Sequence, residues 1–307
     1  MHIPRSCVIL QMRFESAVLT ICVFLVLTAV VSCSGRDAGS GEVTYFDLCR
    51  QNLELARQGR LAEDVFTKVQ HTSAGLVLDW EEDARIARLL SDIYYTAGHL
   101  ALARRYAFEA NVCAQGEYDP EMLRTLIRTN IIYGSYEVAE KYIGWLEGDR
   151  KYGKWAGSQR CFLYDDSKVE ADAEYSQLRK CIPEEDFLSS NIGIDDLKYV
   201  IAANPRYRNA VEYLGVYYLL DCDFENFENF VEEYYGIPAL EKLPRSFAEA
   251  VCMMSETNPG YWKRFSVDQR VWNSFRDFRS RLSNGLSMER FKDTFWYYVM
   301  MMNTTER

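Results

Sequence analysis

Beyond residue 43, apolar residues recur at spacings of three and four, and the few Pro and Gly residues fall between these runs. Such spacing places apolar side chains on one face of an α-helix. A sustained alternation of apolar and polar residues, which would indicate β-strands, is missing from the sequence. The pattern therefore predicts an all-α body made of successive amphipathic helices.

The amino-terminal end has a different pattern. Residues Ala17 to Val31 form an almost unbroken apolar stretch that follows Arg5 and Arg13. Fifteen residues are short for a membrane-spanning helix, which needs about 20, but they suit the apolar region of a secretory signal. We therefore expect residues 1–32 to be a cleaved signal peptide. If the stretch is not cut, it is instead a signal anchor.

The sequence Val30-Val31-Ser32-Cys33 ends this stretch and resembles the lipobox of bacterial lipoproteins. The resemblance implies that Cys33 is acylated and becomes the new amino terminus. Two acyl chains hold a protein stably to a bilayer. Residues 33–42 are rich in Gly and Ser, which is typical of a flexible tether. We expect a lipid-anchored protein of the bacterial cell envelope, on the outer membrane. The alternative is that Cys33 only ends an ordinary signal.

An internal repeat with an offset of 36 residues is visible in the first half of the body. Its glycines, Gly98 and Gly134, align, and so do six flanking pairs: Leu90/Leu126, Tyr94/Asn130, Leu100/Tyr136, Ala103/Ala139, Ala107/Ile143 and Ala110/Leu146. A third unit carries Leu214, Gly215 and Tyr218. These motifs resemble the tetratricopeptide repeat, a unit of two antiparallel helices. The resemblance implies an α-solenoid of helix pairs.

The repeats and their interruption define an expected organisation. We expect an N-terminal helical lobe over 43–150, an irregular connector with a short helix over 151–190, and a C-terminal helical lobe over 191–307. The whole layout resembles an uncharacterised group of Bacteroidota lipoproteins and membrane proteins. That resemblance implies an envelope location and provides no catalytic residues to transfer.

Charge and motifs exclude several function classes. The chain has 35 basic and 45 acidic side chains, and a net charge of −10 repels a nucleic-acid backbone. Motifs for zinc, phosphate loops or nucleophile–base pairs are missing from the sequence, so we predict no cofactor, no metal and no catalytic residues. Of the two histidines beyond the signal, His71 and His99, the second is expected to be a solvated turn residue.

Two groups of side chains stand out as candidates for a structural or binding role. Cys161 and Cys181 bracket the irregular segment, so they are the best candidates for a disulfide in an oxidising compartment. Tyrosines on second helices of repeat units suit packing in the core and, as the second possibility, a partner-binding surface: Tyr106, Tyr142, Tyr234 and Tyr235.

Together these features favour a membrane-anchored helical-repeat scaffold that binds an envelope protein or peptide and does not catalyse a reaction. The alternative is a glycan-binding protein or a glycan-active enzyme with an α/α-type fold. A pocket with converging carboxylates about 5–9 Å apart would favour the enzyme, and an open channel would favour partner binding.

Replacement of Cys33 by Ala tests the lipid anchor. We expect the variant to lose incorporation of a palmitate analogue in growing cells, because the acylated thiol is gone. Cys22→Ala, inside the apolar stretch, is the matched control and should keep its label. Undiminished labelling of Cys33→Ala would contradict acylation at this residue.

Overall fold

The computed structural model of the chain describes residues 44–67, 73–114, 118–184 and 193–305. Every regular element in these four stretches is helical, and they contain no strand. This confirms the mainly α-helical architecture predicted from the apolar spacing. The predicted signal peptide, Cys33, the tether and His71 lie outside the described residues. A search of the described stretches for a helix with the length and apolar character needed to span a bilayer finds none.

Sixteen α-helices follow one another in the described part of the chain, and from Tyr45 onward they belong to one compact unit. Their bounds are α1 Tyr45–Arg57, α2 Leu61–Asp64, α3 Ala84–Ala97, α4 Leu100–Cys113, α5 Pro120–Ile132, α6 Tyr136–Leu146, α7 Gly153–Gln159, α8 Asp166–Ala171, α9 Ala173–Arg179, α10 Leu197–Ala203, α11 Arg208–Leu220, α12 Phe224–Tyr234, α13 Arg245–Met254, α14 Tyr261–Arg264, α15 Gln269–Ser283 and α16 Phe295–Thr305. Short 3₁₀ helices lie at Val65–Thr67, Ser73–Gly75, Arg160–Phe162 and Glu289–Phe291. The segment predicted as an irregular connector with a short helix thus holds three short α-helices, α7 to α9.

Aspartate side chains begin many of these helices. Their carboxylates accept hydrogen bonds from first-turn amides at six helix starts, from Asp83, Asp119, Asp165, Asp172, Asp223 and Asp268. A cap of this kind stabilises a helix by about 1 kcal/mol and also complements the helix dipole. Asp165 and Asp172 begin α8 and α9, so these caps favour helices in the described part of the segment predicted as an irregular connector.

The repeat glycines lie at the turns between consecutive helices. Gly98 and Gly134 have φ angles of 84° and 73°, in the left-handed region that favours glycine. The residues aligned on the following helices, Ala103 and Ala139, are fully buried. From α3 to α6, each helix packs against the next one in the chain. The 36-residue repeat therefore corresponds to two helix–turn–helix units with equivalent turns.

Helix α11 is buried along most of its length and contacts helices from both halves of the chain. Its neighbours are α10, α12, α13 and the amino-terminal helices α1, α2 and α3. Gly215 makes this packing possible, because a Cβ there would lie 2.3 Å from Cζ of Phe247 on α13. The third predicted unit thus lies at the centre of the described structure.

The short helix α2 is held against the C-terminal half by buried hydrogen bonds. The amide of Ala62 donates to Oε2 of Glu212 on α11 at 3.2 Å, and Oγ of Ser246 on α13 donates to the carbonyl of Ala62 at 2.6 Å. The carboxylate of Glu212 also pairs with Arg208. These contacts bring residues near the start of the body onto helices that follow some 150 residues later.

The two turn glycines offer a matched test of this packing. A Cβ at Gly98 would lie 2.7 Å from Cε1 of Tyr207, whereas a Cβ at Gly134 would meet nothing within 4 Å. Both replacements by Ala carry the cost of a left-handed residue, about 1–2 kcal/mol. Gly98→Ala should lose about 1–3 kcal/mol more in the free energy of unfolding, because it also overpacks the Tyr207 contact. The measurement is denaturant unfolding of both variants, and equal losses would contradict the contact.

Candidate binding site

A cavity of about 410 Å³ lies among side chains of α5, α7 and α9, within the range of about 300–1,000 Å³ typical of ligand sites. Its charged lining consists of Arg124, Arg128, Asp172 and Glu174. The rest of its lining is aromatic or polar, from Trp155, Ser158, Gln159, Cys161, Phe162 and Tyr175. Ser158, Cys161 and Glu174 are exposed, whereas Gln159 and Tyr175 are buried. We call this feature the arginine cavity.

The helices around the arginine cavity are fixed to one another by specific hydrogen bonds. Arg179 of α9 donates from Nε to the carbonyl of Ile132 at 2.9 Å and from Nη2 to that of Ile131 at 3.2 Å, at the end of α5. The hydroxyl of Tyr175 on α9 donates to Oε1 of Gln159 on α7 at 2.5 Å. These three hydrogen bonds hold α9 against α5 and α7, so the cavity walls are preorganised.

Arg128 has its charge compensated inside the protein. Its Nη2 lies 3.4 Å from Oε1 of Glu174, and its Nε donates to the hydroxyl of Tyr95 at 3.3 Å. The same hydroxyl donates to Oε1 of Glu174 at 2.6 Å. Burial raises the pKa of Tyr95 well above its usual value, so the phenol stays protonated as a donor. Arg128, Tyr95 and Glu174 form one closed polar network.

Arg124 lies one helical turn before Arg128 on the same face of α5, and its surroundings differ. Its guanidinium lies over the rings of Tyr152 and Trp155, with Cζ 4.8 and 4.9 Å from the ring centroids. Its Nε is buried and has no hydrogen-bond partner among the described residues. Arg124 is therefore stabilised by aromatic rings and has no carboxylate partner in the described structure.

Both carboxylates of the arginine cavity already have structural partners. Oδ1 of Asp172 accepts the amide of Tyr175 at 2.9 Å as the cap of α9. Glu174 belongs to the network with Arg128 and Tyr95. An acid–base pair needs one carboxylate that can hold a proton and one that can accept it from a substrate. The arrangement is better equipped to bind an anionic group than to transfer protons.

The four tyrosines considered for partner binding differ in burial and in contacts. Tyr234 is only 8% exposed and packs on Phe230, so it is a core residue and not part of a binding surface. It lies on the apolar face of α12 that packs against the rest of the protein. Tyr106 and Tyr235 are half-buried, stacked on Tyr94 and in edge contact with Phe265 respectively. None of the four lines the arginine cavity.

Tyr142 is part of a surface group that we call the aromatic cluster, formed with Tyr118 and Trp145. The Trp145 ring stacks on Tyr118 at 4.7 Å and meets the edge of Tyr142 at 5.3 Å. Tyr118 and Trp145 remain 58% and 42% exposed. Exposed aromatic rings of this size are typical of interaction surfaces.

Cys161 and Cys181 are free thiols, so the predicted disulfide is not formed in the structure. Cys161 is exposed on the 3₁₀ helix after α7, whereas Cys181 is buried beside Asn204. Sequence separation alone could not show that the two sulfurs lie in such different surroundings. Burial raises the pKa of the Cys181 thiol to about 12, which keeps it protonated and unreactive.

His99 differs from the expectation of a solvated turn residue, because its side chain is only 7% exposed. Its Nδ1 accepts the amide of Leu102 at 3.4 Å, and its Nε2 lies 3.6 Å from Oδ2 of buried Asp196. The histidine therefore begins α4 and joins it to the start of α10. The adjoining cavity of about 20 Å³ has room for little more than one water molecule.

Comparison with known proteins gives the family. A family model matches residues 18–302. The chain belongs to a family of unknown function, DUF6057. Searches of curated proteins and of solved structures found no match. In the described residues of this DUF6057 protein, no group of three or more potential ligands is arranged to hold a metal ion.

Sequence reasoning missed the arginine cavity of the DUF6057 protein. The only local signal was the pair Arg124 and Arg128, which are four residues apart and share a helix face. Such pairs are usually solvated. The remaining walls come from α7 and α9, which the sequence pattern assigned to an irregular connector.

Thiol labelling tests the cysteine assignments. In the native DUF6057 protein, Cys161 should react fastest with a maleimide at pH 8. Burial raises the thiol pKa of Cys49, Cys181 and Cys252 to about 12, so little thiolate forms there. Peptide mass mapping gives each rate, and Cys161→Ser should remove the fast reaction. Reactivity of Cys161 that appears only after reduction would show that a disulfide forms after all.

Proposed function

We propose that this DUF6057 protein is a lipid-anchored protein of the bacterial cell envelope that binds a protein or peptide partner at the arginine cavity and does not catalyse a reaction. The observation that carries this proposal is the state of the charged groups in the cavity. Asp172 and Glu174 are engaged in structural bonds, while Arg124 is held on aromatic rings without a carboxylate partner. Such a site favours binding over proton transfer.

The anchoring part of the proposal rests on the amino-terminal sequence. The apolar stretch before Cys33 and the Gly/Ser-rich residues after it suit a lipoprotein signal and a tether. The family match includes Cys33 and most of the apolar stretch. We place the acylated Cys33 on the outer membrane, with the helical body as the binding part.

The scaffold part of the proposal concerns the helix pairs. We propose that α3 to α6 are two units of a tetratricopeptide-like solenoid. Equivalent left-handed turns at Gly98 and Gly134, buried Ala103 and Ala139, and sequential packing of the four helices support it. Helix α5, the first helix of the second unit, carries both arginines of the cavity. Repeat folds commonly use the extended surface of stacked helices for binding.

A second candidate, a glycan ligand, is favoured by one observation. Trp155 lies beside polar groups of Ser158 and Gln159 in the same cavity, which suits a sugar ring with several hydroxyls. Against it, Arg124 lies over the Trp155 ring and covers one of its faces. A glycan-active enzyme would show hydrolysis that is abolished by Glu174→Gln.

Site-specific photo-crosslinking tests partner binding. p-Benzoylphenylalanine at Ser158, on the rim of the arginine cavity, should give a discrete adduct in living cells, because a bound partner lies within reach of the probe. Ser283, an exposed serine on α15 outside the cavity, is the matched control position and should give no such adduct. Mass spectrometry then identifies the adduct.

The outcomes separate the candidates. A protease-sensitive adduct at Ser158 alone supports a protein or peptide partner. A carbohydrate adduct supports the glycan ligand instead. Identical adducts from both positions, or none from Ser158, would contradict binding at this cavity.

A further inference from the structure

The guanidinium of Arg124 carries five N–H donors. No hydrogen bond or ion pair joins any of them to a described residue, and Nε is buried without an acceptor. The other arginine of the cavity, Arg128, lies 3.4 Å from its carboxylate partner, Glu174. Both arginines lie over aromatic rings, since Cζ of Arg128 is 4.4 Å from the centroid of Tyr95, but only Arg124 lacks a hydrogen-bond acceptor.

The aromatic contacts of Arg124 leave the donors of both Nη atoms without a partner among the described residues. Tyr152 and Trp155 interact with the guanidinium through their ring faces. The N–H bonds of a guanidinium lie in its plane and point outward along its edge. The guanidinium is therefore held beside Tyr152 and Trp155, and it makes no hydrogen bond to a described residue. Edge-on donors in a fixed fork match the two oxygens of a carboxylate.

The charge of the arginine cavity selects among anions. Its lining holds two arginines and two carboxylates, so it is formally neutral. With one bound carboxylate, the cavity and its ligand have a net charge of −1. With a bound phosphate dianion they have a net charge of −2, next to the carboxylates of Asp172 and Glu174. A singly charged carboxylate is therefore favoured over phosphate.

We propose that Arg124 is the receptor for a carboxylate of the bound peptide, which it holds through two parallel N–H donors while Tyr152 and Trp155 lie against its guanidinium. This inference rests on the proposed function, because it names the chemical group by which a peptide occupies the arginine cavity. The carboxylate belongs either to the carboxy terminus of the peptide or to an acidic side chain. Sugar acids are less suited, since the cation over Trp155 occupies a face that a sugar ring would stack on.

Nuclear magnetic resonance of the full-length protein in detergent micelles tests the receptor directly. Arginine and tryptophan are labelled with ¹⁵N, and the Arg124 Nε–H signal is assigned by its loss in Arg124→Lys. The probes are N-acetyl-Ala-Ala with a free carboxy terminus, N-acetyl-Glu-amide, and N-acetyl-Ala-Ala-amide, at constant ionic strength. Inorganic phosphate and galacturonate are compared under the same conditions.

We expect a saturable shift of the Arg124 Nε–H and Trp155 indole signals with one or both peptide carboxylates, and none with the amide. If N-acetyl-Ala-Ala saturates at the lower concentration, the bound carboxylate is a carboxy terminus. If N-acetyl-Glu-amide does, it is an acidic side chain. In Arg124→Gln, followed through Trp155, the apparent affinity should fall about 10-fold or more, since charge-assisted bonds are lost. Arg276→Gln, an exposed arginine on α15, is the control and should bind normally.

The absence of a saturable shift with both peptide carboxylates would overturn the inference. Tighter binding of phosphate or of galacturonate would also overturn it. The Ser158 crosslink distinguishes this failure from failure of the proposed function. An adduct there without any carboxylate response leaves partner binding intact and removes Arg124 as its receptor.

Discussion

The burial of α11 is the constraint on which the rest of the described structure depends. A charged side chain on a helix packed on most of its sides must find its partners inside the protein. Glu212 does so by accepting the amide of Ala62, which fixes the amino-terminal α2 against the C-terminal half. Just before α11, the Tyr207 ring packs against Gly98, and its hydroxyl donates to the carbonyl of Thr96 at 2.8 Å. The turn between α3 and α4 is thereby positioned, and with it the helices that carry the arginine cavity.

Local features of this architecture were predictable from the sequence, and contacts between distant segments were not. Helix spacing, the left-handed turns at Gly98 and Gly134, and the helical third unit at Leu214 depend on neighbouring residues only. His99 was misassigned because its partner Asp196 lies at the start of α10, which only folding brings close to it. Tyr234 and Tyr235 are adjacent in sequence, yet one is buried and the other half-buried. The sequence does not show how α12 packs against its neighbouring helices, and this packing decides which of the two tyrosines is buried.

The candidate site could not be predicted from the sequence for a related reason. Arg124 and Arg128 have the same residue type and share one helix face, and their roles differ through residues on other elements. Both lie over aromatic rings, but Glu174 of α9 neutralises only Arg128. Carboxylates that look available in the sequence are bonded in the folded chain, Asp172 to a helix amide and Glu174 to an arginine and a tyrosine. The chemistry of the cavity depends on which side chains of different helices bind to one another. The spacing of residues in the sequence does not show these contacts.

The energetics of Arg124 argue that this residue serves binding more than folding. Leaving a partly buried donor without an acceptor costs about 1–3 kcal/mol. Cation–π contacts with Tyr152 and Trp155 return about 0.5–2 kcal/mol, so the two effects nearly cancel. The chain has 45 acidic side chains, yet none of the described ones neutralises this cation. A residue that adds little net stability can be replaced without unfolding the protein. Loss of binding in Arg124→Gln would then report on recognition and not on the integrity of α5.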